Sequence, residues 1–467
     1  MTTTAHSVYS PFDQTLVGQV ATASAEDIEV ALHKANSLFR NREQWIPKLK
    51  RIEILKRAAA LITQRRQEIA LQAAREGGKP LKDSLVEVDR GVEGINNCIE
   101  VLRADAGQVV PMGLNAVSVG KVAFTQYEPI GVVAAVSAFN HPFNLIIHQV
   151  IPAIAVGAPV IVKPAANTPL SCKVIIDILV ESGLPEGWAQ MVLPRDNALT
   201  EKLVSDARVG FFTFIGSASV GWMLRSKLAP GARCALEHGG VAPVIIAADA
   251  DLDDALPRLA RGGFWHAGQA CVSVQRVFCH SSVANEVARR LGELGDRLKV
   301  GNPSELETDV GPLIHEREVK RIDQWVKDAL EGGAELIAGG HALGNNCYAP
   351  TVLLNPKIDS RVMQKEIFGP VIAVYSYGDL GEAIKQANAL PYAFQAAVFT
   401  RDLDTAMRCN QGINATTVMV NENTLFRVDW MPFAGARLSG HGVGGIPYTM
   451  KEMQTEKMMV WRSKVLE

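Results

Sequence analysis

Cys271 and Glu237 are the residues whose side chains and surroundings point most directly to chemistry. Cys271 lies in Phe264–Arg276 (FWHAGQACVSVQR), a setting richer in glycine and polar residues than that of any other cysteine in the chain. Glu237 lies 34 residues upstream, in Leu236–Gly240 (LEHGG). A thiol can capture a carbonyl carbon as a covalent adduct, and a carboxylate can activate the water that releases it. The pair therefore predicts covalent chemistry on a carbonyl compound.

The composition is typical of a soluble globular enzyme. The 467 residues suggest two to three domains, 48% of them are hydrophobic, and the mean hydropathy is +0.08. The 47 basic and 49 acidic residues are intermixed without the basic stripe of a nucleic-acid binder. The longest apolar run, residues 150–162, contains Pro152, Gly157 and Pro159, so it is too short and too broken to span a bilayer. We therefore expect neither a nucleic-acid partner nor a membrane partner.

The seven cysteines and the first residues favour a cytoplasmic location. The N-terminus lacks the basic region and apolar stretch of an export signal. The cysteines show neither CxxC spacing nor a zinc pattern, so we expect reduced thiols and no metal site. They are Cys98, Cys172, Cys234, Cys271, Cys279, Cys347 and Cys409.

The elements that must position the reactive residues follow an α/β pattern. Residues 25–105 are predicted to be largely helical, with Ser24 and Asp27 as a looser N-terminal capping pair. Alternating apolar residues in Val117–Tyr127 and the apolar run Gly131–Val136 predict strands.

Further short apolar runs alternate with helix-like segments, which predicts parallel sheets. These runs are Pro159–Val162, Phe211–Ile215 and Val241–Ala247. The sequence contains no internal repeat or low-complexity linker, and the junction between two halves is expected near residue 240.

Eight segments, in order along essentially the whole chain, resemble motifs of the aldehyde dehydrogenase superfamily. They are Pro129–Val132, Phe139–Phe143, Val162–Pro164, Phe214–Ser217, Leu236–Gly240, Gly268–Cys271, Glu366–Pro370 and Pro432–Gly435. The FNHP sequence at 139–142 and the stretch Arg427–Phe433 are most similar to the phosphonoacetaldehyde, lactaldehyde and glycolaldehyde dehydrogenase-like branch. The resemblance implies NAD(P)-dependent oxidation of a small aldehyde to its carboxylic acid.

The resemblance assigns three catalytic roles. Cys271 is similar to the nucleophile that forms a thiohemiacetal and then a thioester. Asn140 matches the side chain that, with the Cys271 backbone N–H, stabilises the oxyanion, and one such donor is typically worth about 2.7–4 kcal/mol. Glu237 matches the base that activates the hydrolytic water. The alternatives are an inert buried cysteine, an asparagine that caps a helix, and a strand-end glutamate in a salt bridge.

The resemblance also assigns a site for NAD or NADP. Gly216, Ser217 and Gly221 resemble a variant dinucleotide loop in which the backbone approaches the pyrophosphate at a helix start. Glu366 matches the residue that holds the nicotinamide ribose, and Phe368 the ring packed beside it. For Glu366 the alternative is an ordinary surface charge.

The nucleotide preference is left open at the adenosine end. Lys163 matches the residue that holds the adenosine ribose, or else is a surface charge. Many NAD-preferring members carry a glutamate three positions later, where this chain has Ala166, so a 2′-phosphate is admissible. A literal GxGxxG at 440–445 is not expected to bind the nucleotide, because only 22 residues follow it.

Polar residues stand where the family's substrate tunnel is often aromatic or aliphatic, and they predict an aldehyde with an anionic group. Arginine binds two oxygens of a carboxylate, phosphonate or sulfonate at once. A helix that begins near Pro142 would carry both histidines on one face. The alternative is that Arg427 only pairs with Asp429 or another surface acid. The predicted substrate residues are Arg90, His141, His148 and Arg427.

The resemblance implies three structural parts. A Rossmann-like NAD(P)-binding domain is expected at residues 1–107 and 129–239, and an α/β catalytic domain at 240–449. A small β oligomerisation element would combine residues 108–128 and 450–467. An exposed edge strand in that tail would invite pairing with another subunit, so a homodimer or homotetramer is expected.

Two other functions remain possible from the sequence. One is an acylating, coenzyme A-dependent dehydrogenase or a thiol esterase, although acylating relatives typically lack the base at the position of Glu237. The other is a binding protein that kept the fold and lost turnover, which the joint presence of Cys271, Asn140 and Glu237 disfavours.

Overall fold

The computed structural model describes residues 5–466 of the chain. The predicted helical region is confirmed by α1 (Ala25–Arg40), α2 (Lys48–Gln64), α3 (Arg66–Gly77) and α4 (Leu81–Ala104). The later helices are α5 (Asn144–Val156), α6 (Pro169–Glu181), α7 (Asn197–Ser205), α8 (Ala218–Arg225), α9 (Leu252–Phe264), α10 (Ala284–Asp296), α11 (Glu316–Glu331), α12 (Arg361–Gln364), α13 (Leu380–Ala387), α14 (Leu403–Gly412) and α15 (Ile446–Glu452).

The strands alternate with these helices over most of the chain, as predicted. The first half contains β1 (Ala5–Tyr9), β2 (Leu16–Ala21), β3 (Val109–Val110), β4 (Lys121–Pro129), β5 (Val132–Val136), β6 (Val160–Lys163), β7 (Ala189–Met191), β8 (Val209–Ile215) and β9 (Arg233–Glu237). The second half contains β10 (Pro243–Ile246), β11 (Arg276–His280), β12 (Glu335–Ala338), β13 (Ala342–Gly344), β14 (Cys347–Tyr348), β15 (Thr351–Leu354), β16 (Val371–Tyr377), β17 (Tyr392–Ala393), β18 (Gln395–Phe399), β19 (Thr417–Val420), β20 (Ala436–Arg437), β21 (Gly440–His441) and β22 (Gln454–Arg462).

Two large sheets form the frame of the molecule and confirm the α/β prediction. The first has the order β21-β9-β8-β5-β6-β7, in which every pairing except that of β21 is parallel. The second has the order β12-β15-β16-β11-β10-β18-β19 and is parallel except for β12. All five residues of β5 are buried, as expected of a parallel strand covered by helices on both faces.

A separate three-stranded sheet joins the two segments predicted to form the oligomerisation element. Its order is β22-β4-β3, and β22 pairs with the whole of β4, from Gln454 opposite Pro129 to Arg462 opposite Lys121. The short β21 lies within the predicted catalytic region, yet it joins the first sheet through Gly440 opposite Glu237. The GxGxxG sequence therefore lies beside β9.

Two local predictions are corrected by the structure. Residues 117–120 lie in a turn, so the strand predicted over Val117–Tyr127 begins only at Lys121. Helix α5 begins at Asn144 rather than near Pro142, so His141 precedes the helix that carries His148. In contrast, the predicted cap of α1 is confirmed, because Ser24 and Asp27 exchange side-chain and backbone hydrogen bonds.

No helix within residues 5–466 combines the length and the apolar character that a membrane span requires.

Close packing of α4 on α5 holds the segment that precedes α5. A Cβ atom on Gly91 of α4 would overlap the ring of Phe143, the residue just before α5. Both residues are buried. A larger side chain at position 91 would therefore push α5 and the preceding loop out of place.

We expect Gly91→Val to lower stability in urea unfolding by about 1–3 kcal/mol, the usual cost of overpacking a core. The matched control is Asn96→Val, which places the same side chain at an exposed position of α4 and should cost well under roughly 1 kcal/mol. Equal losses in the two variants would contradict the packing account.

Candidate active site

A cavity of about 940 Å³ opens where strands of the first sheet end. Its wall includes Val136, Lys163, Ile215 and Glu237, which are the last residues of β5, β6, β8 and β9. The carboxyl ends of neighbouring parallel strands are where α/β sheets usually bind ligands. The second half of the chain closes the opposite wall, where Cys271 lies.

Most of the residues predicted from the sequence line this one cavity. They are Arg90, Asn140, His141, Lys163, Gly216, Ser217, Glu237, Cys271, Glu366, Phe368 and Arg427. The other three, Ala166, Gly221 and His148, do not line it. The nucleophile, the amide and the carboxylate predicted to act together thus face the same space.

The segment that leads to Cys271 has a strained backbone. His266, Ala267 and Gly268 have φ of 48°, 53° and 68°, three consecutive residues in the left-handed region. A Cβ atom on Gly268 would overlap the carbonyl of Gly369. Non-glycine residues adopt this conformation only where the surrounding structure enforces it, and such strain is common at active sites. Of the seven cysteines, Cys271 is the most exposed.

Asn140 is oriented by the residue two positions before the cysteine. Its Nδ2 donates to the Gln269 carbonyl at 3.0 Å. Gln269 is itself fixed, because its side chain donates to the Pro312 carbonyl at 3.2 Å and accepts from the Ile314 N–H at 2.9 Å. The amide of Asn140 carries a second N–H. That N–H is suited to stabilise negative charge on an oxygen bound next to Cys271.

Burial controls the protonation of the two reactive groups. Burial, followed by the nearby Glu237 carboxylate, raises the pKa of Cys271 well above its usual value, and Arg427 opposes this. Burial also raises the pKa of Glu237, again opposed by Arg427, whose Nη1 lies 3.9 Å from Glu237 Oε1. The thiol therefore needs a nearby proton acceptor before it can react as a thiolate.

The other end of the cavity suits a dinucleotide. Glu366 is held so close to the backbone that a Cβ atom on Gly239 would overlap its carboxylate. Its buried Oε1 has no hydrogen-bond partner among residues 5–466, and burial raises the pKa of Glu366 to about 8. Phe368, with φ of 50°, packs edge-on against Phe139. The unpaired Oε1 of Glu366 fits a hydrogen bond from a ribose hydroxyl, and the Phe368 ring fits contact with the base attached to that ribose.

Two residues predicted to touch the nucleotide lie elsewhere. Ala166 is exposed outside the cavity wall, and its carbonyl accepts a 2.8 Å hydrogen bond from His6 Nε2. Gly221 is buried, and a Cβ atom there would overlap the ring of His238. Gly221 thus allows α8 to pack on His238, while Val220 of the same helix faces the cavity.

A buried carboxylate organises the predicted substrate residues. Asp429 accepts from Arg90 at 2.6 and 3.1 Å and from His148 Nε2 at 2.9 Å. Burial of Asp429 is outweighed by His148, Arg90 and Arg427, which hold its pKa far below the usual range. His148 therefore supports Asp429 from behind the cavity. The alternative that Arg427 pairs with Asp429 is confirmed in part, because Arg427 Nε lies 3.8 Å from the Asp429 carboxylate, but the pair is not on the surface, since only 1% of the Asp429 side chain is exposed.

Arg427 remains the least satisfied cation of this group. Its Nη2 donates to His148 Nδ1 at 3.4 Å, whereas its Nε lies 3.8 Å from Asp429 and has no hydrogen-bond partner among the described residues. Its guanidinium stacks 3.6 Å above the centroid of Phe433. Burial lowers the pKa of Arg427, opposed by Glu237 and Asp429. Arg427 therefore fits an additional anion in the cavity.

A second buried ion pair near the site could not be predicted from the sequence. Lys79 pairs with Glu87, and both side chains are at most 2% exposed. Glu87 Oε1 accepts from the backbone N–H groups of Phe143 and Asn144, at 3.0 and 2.8 Å. The only local signal is a lysine between Gly78 and a helix start, which does not indicate a buried charge.

The fold and the cavity define an α/β enzyme with a cysteine at a dinucleotide-type site. The profile of the aldehyde dehydrogenase family matches residues 1–459, and the chain therefore belongs to this family. The 3-sulfolactaldehyde dehydrogenase of Priestia megaterium is 35% identical over 97% of this chain and 94% of the relative. The predictions of NAD(P)-dependent aldehyde oxidation and of a Rossmann-like fold are thereby confirmed.

Solved structures agree with this assignment. An aldehyde dehydrogenase from Physcomitrella patens in complex with succinate has a TM-score of 0.94 and 33% identity, covering 98% of this chain and 95% of its own. The NADP-dependent glyceraldehyde-3-phosphate dehydrogenase from Bacillus halodurans, complexed with NADP, has a TM-score of 0.94 and 32% identity. That match covers 98% of this chain and 96% of the relative.

We expect Glu237→Gln to lower the pKa of Cys271, because the carboxylate charge that disfavours the thiolate is removed. The rate of Cys271 alkylation by iodoacetamide, measured against pH, should then rise at a lower pH than in the unmodified enzyme. Glu422→Gln is the matched control, since Glu422 also lines the cavity but pairs with Arg258. An unchanged or higher midpoint in Glu237→Gln would show that its charge does not act on the thiol.

Proposed function

We propose that Cys271, Asn140 and Glu237 catalyse the oxidation of a small aldehyde to its acid, with NAD or NADP as the oxidant. The observation that carries this proposal is their convergence in one cavity, where Asn140 is tied by a 3.0 Å hydrogen bond to the loop bearing Cys271. The family membership supports the same reaction.

The reaction begins when the Cys271 thiolate adds to the aldehyde carbon. Asn140 Nδ2 and the Cys271 backbone N–H stabilise the oxygen of the resulting thiohemiacetal. Glu366 and Phe368 would hold the nicotinamide end of NAD or NADP, which would supply the oxidant that takes the hydride from this carbon and so converts the thiohemiacetal to a thioester. Glu237 then takes a proton from water, which attacks the thioester carbon and releases the acid and the thiol.

The residues that would hold the cofactor come from both halves of the chain. Gly216 and Ser217 offer the start of α8 to the pyrophosphate, Lys163 the adenosine ribose contact, and Glu366 with Phe368 the nicotinamide ribose site. Ala166 lies outside the cavity wall and carries no carboxylate, so it opposes neither a 2′-hydroxyl nor a 2′-phosphate. The family membership and the dehydrogenase relatives do not favour the coenzyme A-dependent or esterase alternative, and the charge of Glu237 acting on Cys271 argues further against transfer of the acyl group to coenzyme A.

We expect Cys271→Ser to abolish dehydrogenase turnover while leaving nucleotide binding intact, because a hydroxyl is a far weaker nucleophile than a thiolate. Absorbance of the reduced nucleotide measures turnover, and its fluorescence on binding reports the cofactor site. The control is Cys234→Ser, a change outside the cavity wall that should keep ordinary turnover. Normal turnover by Cys271→Ser would refute the assignment of the nucleophile.

We propose further that the aldehyde carries an anionic group and that Arg427 binds it. Arg90 and Arg427 supply two positive charges, and Asp429 neutralises one of them. Burial raises the pKa of Glu237, so Glu237 is less able to neutralise the second charge. Such a surplus charge is costly to bury without an anion. The three relatives are named with a sulfo compound, succinate and a phosphate ester, all of which carry anionic groups.

We expect Arg427→Leu to lower kcat/KM for 3-sulfolactaldehyde or succinic semialdehyde by roughly ten- to hundredfold more than for propanal, because a hydrogen bond to a charged group is lost. The comparison with propanal removes the general effect of Arg427 on the pKa of Cys271. Arg261→Leu is the control, since Arg261 is a mostly exposed arginine of the same cavity wall. Equal losses for charged and neutral aldehydes would exclude recognition of the anion by Arg427.

We also propose that the chain works as a homodimer or homotetramer in the reducing cytoplasm. The outer strand β22 supports assembly, because one of its edges has no partner strand among residues 5–466 and its residues 458–461 are exposed apolar side chains. The seven unpaired cysteines, one of which must remain a thiol, support a reducing compartment. The domain boundaries inferred from the resemblance remain part of this proposal.

A further inference from the structure

Lys79 lies in a buried position between two elements of the active site. Its Nζ contacts the Glu87 carboxylate and lies 2.8 Å from His141 Nδ1. The same Nζ lies 5.0 Å from the centroid of the Trp265 ring, on the segment that leads to the nucleophile. His141 follows the predicted oxyanion residue Asn140 directly. Lys79 thus contacts one residue next to Asn140 and one on the segment before Cys271, but it does not line the cavity itself.

The hydrogen bonds of Glu87 show which group is charged. Its Oε1 accepts two backbone N–H groups at the start of α5, and its Oε2 faces Lys79. A carboxyl group that accepts on both oxygens is favoured as the anion. Burial lowers the pKa of Lys79, and the charge of Glu87 opposes only part of this effect. The direct contact of Nζ with the Glu87 carboxylate favours the ammonium form of Lys79, which can only donate hydrogen bonds.

An ammonium at 2.8 Å dictates the protonation of the histidine. His141 Nδ1 must accept from Lys79, so the single proton of the neutral ring lies on Nε2. Within residues 5–466, Nε2 has no hydrogen-bond partner, and the His141 ring is a partly exposed part of the cavity wall. The Trp265 ring packs against the His141 ring, with 5.2 Å between the two ring centroids.

We propose that the Lys79–Glu87 pair is a positioning device that holds His141 as an Nε2–H donor for the anionic group of the substrate. This inference rests on the anionic substrate of the proposed function. The ring stays neutral because burial, followed by Lys79, His266, Arg90 and Arg427, lowers the pKa of His141. A neutral N–H donor beside Arg427 orients the bound anionic group without adding another buried charge.

The tautomer can be observed without any turnover. Long-range proton–nitrogen spectra of the full-length enzyme, labelled with ¹⁵N-histidine, distinguish the two neutral forms of the ring, and His141→Gln assigns the signal by its loss. We expect Nε2 to be protonated and Nδ1 to be unprotonated throughout pH 6–8. A protonated Nδ1 in the unmodified enzyme would overturn the proposal, whatever the substrate proves to be.

Lys79→Met tests the functional consequence. Without the ammonium, the proton of His141 should no longer be restricted to Nε2. The KM for 3-sulfolactaldehyde should then rise roughly tenfold at pH 8, as expected for one lost hydrogen bond to an anion, while the KM for propanal should change little. The His141 pKa should rise because a nearby positive charge is gone. Protonation of His141 at pH 6 should then restore part of the binding.

Lys82→Met is the matched control, because this partly exposed lysine, in the first turn of α4, pairs with Asp309 instead. It should leave both KM values and the His141 signal unchanged. Equal KM increases for both aldehydes in Lys79→Met, at every pH, would reduce Lys79 to a structural role and overturn the proposal. If only the proposed anionic substrate is wrong, the unmodified enzyme still carries the His141 proton on Nε2, but it does not prefer 3-sulfolactaldehyde to propanal.

Discussion

The free-energy cost of burying charge governs how this site is built. Asp429 receives hydrogen bonds from Arg90 and His148, and Glu87 receives them from Lys79 and the start of α5. Buried polar groups without partners are rare in proteins. Two that do occur here, Glu366 Oε1 and Arg427 Nε, belong to residues of the cavity wall. These two atoms lie where a ribose and an anionic substrate would supply the missing partners.

Carboxylates from the N-terminal helices connect this charge balance to the fold. Neither α5 nor α6 has a side-chain cap at its own N-cap residue. Instead, Glu87 binds the first N–H groups of α5, and Glu76 binds those of Leu170 and Ser171 in α6. A cap of this kind is typically worth about 1 kcal/mol. It also sets the position where α5 starts, and therefore that of the loop carrying Asn140.

Features set by nearby residues could be predicted from the sequence, and features set by distant ones could not. The cap of α1 needs only Ser24 and Asp27, and it was predicted correctly. The pair of Arg90 and Asp429 joins residues 339 positions apart, so the sequence suggested only the local pairing of Asp429 with Arg427. The start of α5 was placed too early because its cap, Glu87, lies 57 residues before Asn144.

The convergence of the predicted site residues has a different origin. Asn140, Lys163, Ser217 and Glu237 each lie at or just after the end of a parallel strand, and such ends meet at one edge of a sheet. Motif and topology therefore agree for these residues. Gly221 shows that the glycine pattern at 216–221 is ambiguous. A glycine that is required for packing of α8 on His238 stands at the position where a glycine facing a pyrophosphate was expected.

Arg427 couples recognition of the substrate to the chemistry. Its positive charge lowers the pKa of both Cys271 and Glu237, against the stronger raising effect of burial. An anionic group bound to Arg427 would offset that charge, so the pKa of both residues would rise. A higher pKa makes Glu237 a stronger base toward water but makes the thiolate harder to form. A bound substrate anion would thus favour hydrolysis of the thioester at the expense of thiol ionisation, and the proposed contact of the Asn140 amide would compensate during the addition step.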